Sequence, residues 1–282
     1  MIKGLGLFIF ILLSGFRSMA VDAVLSHSVF YVPDPIQPAR LTPAVDAYWQ
    51  IKPQTLHYTR TPEKTIIARI KTEVFFSNES GVIKEDHYIM QTTPRANVSE
   101  LSSHSIIELH RYLLPPGFVH MKLKLTDMGD STNPFTLTDT FTILPGEVTP
   151  FFSSLQLLDT VIEATTPSPF KKNGRQQIPQ CVNFIDDGSQ VLHYYTEMYE
   201  GNKIPKENFP LVQKVIISRS NEGDAFGNFI KTDSLSNSEA FIPLSGSFEI
   251  NTLPSGNYYL IATLENKAHE ILAFRSLFFQ RL

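Results

Sequence analysis

The chain has 282 residues, of which 42% are hydrophobic, 18% charged and 11% aromatic, and its formal net charge is −4. That length holds one large domain or two ordinary ones, and 21 Phe with 10 Tyr exclude a disordered chain. A weakly acidic balance without a Lys/Arg block leaves no electrostatic footprint for nucleic acid or an anionic membrane, and the single cysteine, Cys181, excludes an internal disulfide and a multi-cysteine zinc site.

Residues 1–20 open with Lys3, continue through an apolar run from Leu5 to Leu13, and close on Ser18-Met19-Ala20. This is the three-part form of a secretory signal peptide, so the protein is expected to be exported to the periplasm, the outer membrane's vicinity or the exterior. The run is too short for an anchored helix, and no later apolar stretch is long enough to span a bilayer.

Residues 21–45 hold Pro33, Pro35, Pro38 and Pro43 and read as an extended, Pro-rich lead-in, either a tether or an edge segment. From 46 to 144 the chain is written in period two. Ile66, Ala68, Ile70, Thr72, Val74 and Phe76 alternate with Ile67, Arg69, Lys71, Glu73 and Phe75; Val119, Met121, Leu123 and Leu125 alternate with His120, Lys122 and Lys124. Such alternation predicts strands with one face in a core. Further strands are expected over 48–58, 82–91, 106–112 and 135–143, giving a first sandwich of antiparallel sheets. Residues 145–150, with Pro145, Gly146 and Pro150, form the linker. A second strand series fills 151–282, with strands at 155–164, 177–184, 191–199, 211–219, 245–250, 258–264 and 271–279. Polar links separate them at 200–210 and 220–237.

An internal repeat joins the halves. Residues 114–127 align without gaps on residues 253–266: each copy begins Leu-Pro, has Gly117 or Gly256 two residues after the proline, then four alternating core positions, and ends on Asp127 or Asn266. The expected fold is therefore all-β, two tandem immunoglobulin-like sandwiches.

Catalytic chemistry finds little support. The eight histidines (27, 57, 87, 104, 110, 120, 193 and 269) include no pair at metal-ligand spacing. Asp127-Met128-Gly129-Asp130 and Asp186-Asp187-Gly188 lack the carboxylate spacing of a calcium loop and read as turns. There is no Gly-x-Ser-x-Gly elbow and no phosphate loop, so no cofactor is expected, and Cys181 reads as a buried packing residue. Aromatic side chains are the candidate interaction residues: Trp49, Tyr194, Tyr195, Phe278 and Phe279. Neighbouring rings on a strand point to opposite faces, so one of each adjacent pair is free for an interface between domains or with a partner.

The segment Glu108-Leu109-His110-Arg111-Tyr112-Leu113-Leu114-Pro115-Pro116-Gly117, with Leu253-Pro254-Ser255-Gly256-Asn257-Tyr258-Tyr259-Leu260 and Leu277-Phe278-Phe279-Gln280-Arg281, resembles the N-terminal region of exported GWxTD-domain proteins of Bacteroidetes. The resemblance runs from about Ala47 onward. It implies tandem β-sandwich modules, which in that family precede a domain bearing Gly-Trp-x-Thr-Asp. Here the one tryptophan, Trp49, follows Tyr48, so the resemblance implies the sandwich half alone and carries over no catalytic residue. The expected role is an exported, non-catalytic structural or interaction module of the bacterial envelope, whose partner is another envelope protein. The alternatives are a surface glycan binder using Trp49 and Tyr195, and an enzyme with Asp186, Asp187 and His193 in a site assembled from distant loops.

Overall fold

A computed structural model describes residues 21–101, 105–146, 150–236 and 239–282. The expected signal peptide, residues 147–149 of the expected linker and His104 lie outside the described residues. Among those described, helix is confined to four three-residue 3-10 turns, and no helix is long and apolar enough to cross a membrane.

The first half contains β1 (Ala23–Pro33), β2 (Leu41–Ile51), a small hairpin of β3 (Thr59–Arg60) and β4 (Ile66–Ile67), and β5 (Arg69–Asn78). Then come β6 (Gly81–Gln91), β7 (Ile106–Leu113), β8 (Gly117–Asp127) and β9 (Phe135–Ile143). Strands β1, β2 and β7 form sheet A in that order, and β6, β5, β8 and β9 form sheet B. Alternation places Val45, Ala47, Trp49 and Ile51 of β2 in one core with Val74 and Phe76 of β5 and Met121, Leu123 and Leu125 of β8. Each of the larger aliphatic and Phe side chains contributes about 1.5–3 kcal/mol when fully buried.

The second half opens with β10 (Phe151–Phe152), β11 (Gln156–Glu163), β12 (Lys171–Lys172), β13 (Arg175–Pro179), β14 (Phe184–Ile185) and β15 (Val191–Tyr199). It continues through β16 (Leu211–Ser218), β17 (Ile230–Leu235), β18 (Phe241–Glu249), β19 (Gly256–Glu265) and β20 (Ile271–Arg281). Sheet C is built on β15, which pairs with β10, β11 and β18, and runs on through β13 to β12; sheet D is β14-β20-β19-β16-β17. The pairings are antiparallel except for the two-residue β14–β20 contact. Leu192, Tyr194 and Met198 of sheet C share a core with Ile217, Tyr258, Leu260, Leu264 and Phe279 of sheet D.

Sheet A is also covered on its other face. Residues 43–49 are buried without a break, as in a strand packed on both sides. The even-numbered side chains of β1 and β2 turn away from sheet B toward sheet C: Gln156 donates to Ser28, and Phe30 packs with Leu158 and Tyr195. The layers therefore run B, A, C, D.

Several sequence expectations shift. Of tether or edge segment, residues 21–45 supply the edge: β1 pairs along its whole length with β2. The strand expected over 48–58 lies earlier, at Leu41–Ile51, and a 3-10 turn at Pro53–Thr55 follows it. The link expected at 220–237 contains β17, paired with β16. The aligned stretches 114–127 and 253–266 occupy like positions. Leu114 and Leu253 are both buried; Gly117 and Gly256 both start their strands at positive φ, +128° and +149°. Asp127 accepts from the backbone N–H of Gly129, and Asn266 accepts likewise from Ala268.

Candidate functional site

The junction of sheets A and C concentrates the polar chemistry of the molecule. Asp46 of β2 is fully buried. Arg111 of β7 donates to it through Nε at 2.6 Å and Nη2 at 2.9 Å. Lys172 Nζ sits 3.3 Å from Asp46 Oδ2, an ion-pair distance without hydrogen-bond alignment. The ammonium also lies over the Phe30 ring, 3.4 Å from its centroid, and 5.2 Å from that of Tyr195, where the ring faces attract a cation.

Lys172 reaches this position through local chemistry. Asn173 and Gly174 have φ of 49° and 75°, and Lys172 pairs with Arg175 across them. This two-residue Asn-Gly loop is the connection that right-twisted strands favour. Burial pushes the Lys172 pKa down to about 8, although Asp46 and Glu197 pull it upward. Arg111 moves the other way, raised chiefly by its hydrogen bonds to Asp46.

On the facing sheet, the odd-numbered residues of β15 complete the junction. Tyr195 donates to Glu197 Oε1 at 2.6 Å and accepts from Asn173 at 2.9 Å. Tyr199 donates to the other Glu197 oxygen and accepts from the Tyr31 N–H at 3.0 Å. Burial holds both phenols well above their ordinary pKa. Two cations, the half-exposed Arg111 and the buried Lys172, thus face two carboxylates, Asp46 and Glu197, and their charges balance.

The sequence-derived interaction residues fall at different places. Trp49 is fully buried in the core of sheets A and B, and Tyr194 and Phe279 are buried between sheets C and D. These rings are closed to a glycan, which corrects the use of Trp49 as a stacking platform. Tyr195 is buried at the A–C junction, and Phe278 is 38% exposed, edge-on to Tyr259. Asp186 is spent on the turn to Ser189, accepting from its N–H and Oγ–H. Among the described residues no hydrogen bond or ion pair joins His193 to Asp186 or Asp187, and no cluster of three or more His, Cys, Asp and Glu is placed to hold a metal. Cys181 is buried, and burial raises its pKa to about 11.

Beside the junction, along the free edge of β1, lies a cleft of about 500 Å3. Leu25 to Val29 form one side of it, Thr138 and Asp139 another, and Arg275 of β20 faces them. His27 Nδ1 is 2.6 Å from Asp139 Oδ2, and the imidazole stacks on Phe141. Burial opposes ionisation of Asp139, but the bond to His27 holds its carboxyl below the usual range. Arg275 donates through Nε to Ser153 O and through Nη2 to Phe152 O.

Asp46, Arg111, Lys172 and Arg275 were missed by reading motifs. For Asp46 and Arg275 the signal is a charge on a register that packing requires to be apolar. Arg275 shares its register with Ala273, Leu277 and Phe279, and Asp46 lies in the apolar run Ala44-Val45-Asp46-Ala47-Tyr48-Trp49.

No family model and no curated protein matches the chain. Among solved structures, red sea bream transglutaminase aligns at 10% identity over 92% of this chain and 31% of its own, with a TM-score of 0.26. A tetra-tandem repeat in the extending region of a large adhesion protein aligns at 12% identity over 93% of this chain and 50% of its own, with a TM-score of 0.25. The chain thus spans about a third and a half of these two structures, and likenesses this distant carry no functional weight.

Proposed function

We propose that this chain is an exported, non-catalytic structural and protein-interaction module of the bacterial envelope, made of two immunoglobulin-like sandwiches as in the sandwich region of GWxTD-domain proteins. The observation that carries this reading is the A–C junction. Its buried charges and phenols bond to one another across the two halves and so hold the sheets in a fixed relation. Such chemistry suits a rigid spacer that presents edge strands and end loops to partners.

Two measurements test it. Fractionation of the source cells with N-terminal sequencing is expected to find the protein outside the cytoplasm and beginning at Val21; cytoplasmic protein retaining Met1 would contradict export. Crosslinking followed by affinity purification from envelope extracts is expected to recover one protein partner at fixed stoichiometry, and recovery of none would contradict the interaction role.

A further inference from the structure

We infer that the cleft along β1 captures the C-terminal end of an extended peptide, which pairs with the outward peptide groups of Leu25 and His27 and places its terminal carboxylate on Arg275. This inference rests on the interaction role proposed above and gives that role a ligand.

The edge comes first. Lys52 N–H bonds to Asp22 O, which fixes the parity of the β1–β2 ladder: even residues of β1 bond to β2, and odd residues aim their N–H and C=O away from it. Val29 and Tyr31 obey this rule. Val29 N–H donates to Ser154 Oγ at 2.9 Å and its C=O accepts from Ser154 N–H at 2.9 Å, while Tyr31 N–H meets the Tyr199 hydroxyl. Ser154 therefore satisfies Val29 as one residue of an added strand would. Leu25 and His27 share that parity and line the cleft, and among the described residues no strand pairs with β1 on that side. An edge of this kind is a template for an incoming chain.

The same contacts set direction and chemistry. Ser154 closes the edge at Val29, so a segment lying on His27 and Leu25 cannot run past it and has to end there. At that end stands Arg275, anchored on the carbonyl of Ser153, the residue before Ser154. Among the described residues no carboxylate lies within ion-pair distance of the Arg275 guanidinium, and burial works against its charge. Arg281, further along β20, bonds to three carbonyls, those of Leu253, Asp186 and Ser189. Arg275 bonds to two and keeps Nη1 beyond them. A half-buried cation at a dead end accepts a terminal carboxylate and repels a terminal amine. The peptide would thus run parallel to β1, from the Leu25 end toward Val29. The cleft volume of about 500 Å3 lies within the range of small-ligand sites.

The probe is a pool of fluorescein-labelled random hexapeptides with free C-terminal carboxylates, compared with the same pool C-terminally amidated, both retained on the immobilised full chain. The carboxylate pool is expected to be retained at least tenfold better, and Arg275→Gln is expected to bring it to the level of the amidated pool. The retained sequences should shift the amide resonances of Leu25 and His27 in the unaltered protein, a readout that needs no variant to fold. Leu25→Pro, which deletes one outward N–H, should weaken retention without lowering the melting temperature as Arg275→Gln could. Equal retention of both pools, retention unchanged in Arg275→Gln, or displacement by acetate at the concentration of the peptide would overturn the inference. If Arg275→Gln still recovers the crosslinked envelope partner in full, the cleft inference fails and the interaction role stands. If the unaltered chain recovers no partner, the interaction role itself fails.

Discussion

Asp46 shows how much one residue can decide. Its carboxylate accepts from Arg111 and the Tyr48 hydroxyl and is the ion-pair partner of Lys172. Asp46→Asn therefore leaves the buried Lys172 ammonium with Glu197 as its one remaining counter-charge and unpairs the half-exposed Arg111 guanidinium, and the expected cost is about 3 kcal/mol, read as a fall in the urea midpoint. Lys172→Met keeps the Arg111–Asp46 pair and replaces a desolvated ammonium with an apolar chain of similar length, so its midpoint should stay within about 1 kcal/mol of the unaltered protein. The same lysine gives stability a pH dependence. Its folded pKa of about 8 lies below the unfolded value of 10.5, so between these values the unfolded chain holds more protons and stability rises with pH. From pH 8 to 10 the unaltered protein should therefore gain about 2 kcal/mol relative to Lys172→Met, a difference that cancels the opposing loss from the Cys181 thiol, whose folded pKa of about 11 is common to both proteins. As pH approaches 10 and passes it, both proteins lose stability, because the folded state keeps Tyr48, Tyr195 and Tyr199 protonated where the unfolded chain releases their protons.

Elements were legible where periodicity was local. Strand β9 stands at the bounds that alternation predicts, 135–143, since its two faces differ in burial; β15 also stands at its expected bounds, 191–199, although Tyr194 and Tyr195 are buried on its opposite faces. Strand β2 is displaced from its expected place because Ala44 to Trp49 are buried on both faces and show no polar alternation, and because Pro43, read as part of an extended lead-in, lies inside the strand. The β12–β13 hairpin was missed although Asn173-Gly174 announces it, and with it went Lys172. The candidate site was less legible than the fold: Tyr195 was named from ring alternation, whereas the buried charges depend on which sheet covers which. Two comparisons test the assigned strand geometry. Ser26→Pro removes an N–H that bonds to β2 and should cost at least about 1–3 kcal/mol more than Leu25→Pro, whose N–H points outward; chemical denaturation of both variants measures the difference. Gly117→Ala strains the backbone in open space and should cost about 1–3 kcal/mol. Gly256→Ala should cost more, because its Cβ would stand 2.3 Å from Arg219 Nη1 and push that guanidinium off the Tyr258 ring; melting temperatures order the pair.

At the scale of the whole molecule, the layer order B, A, C, D makes sheet A common to two packing interfaces. It shares an apolar core with sheet B and a charged, aromatic junction with sheet C, so the second half cannot leave without exposing Asp46, Phe30 and Tyr48. The chain carries one natural probe for each half: the single tryptophan, Trp49, buried between sheets A and B, and the single cysteine, Cys181, buried just beyond β13. Urea unfolding followed by Trp49 fluorescence and by pulsed thiol labelling of Cys181 asks whether the halves unfold together. Coincident midpoints are predicted if the junction joins the halves into one cooperative unit; Cys181 becoming reactive at clearly lower urea than the Trp49 transition, or clearly higher, would contradict it.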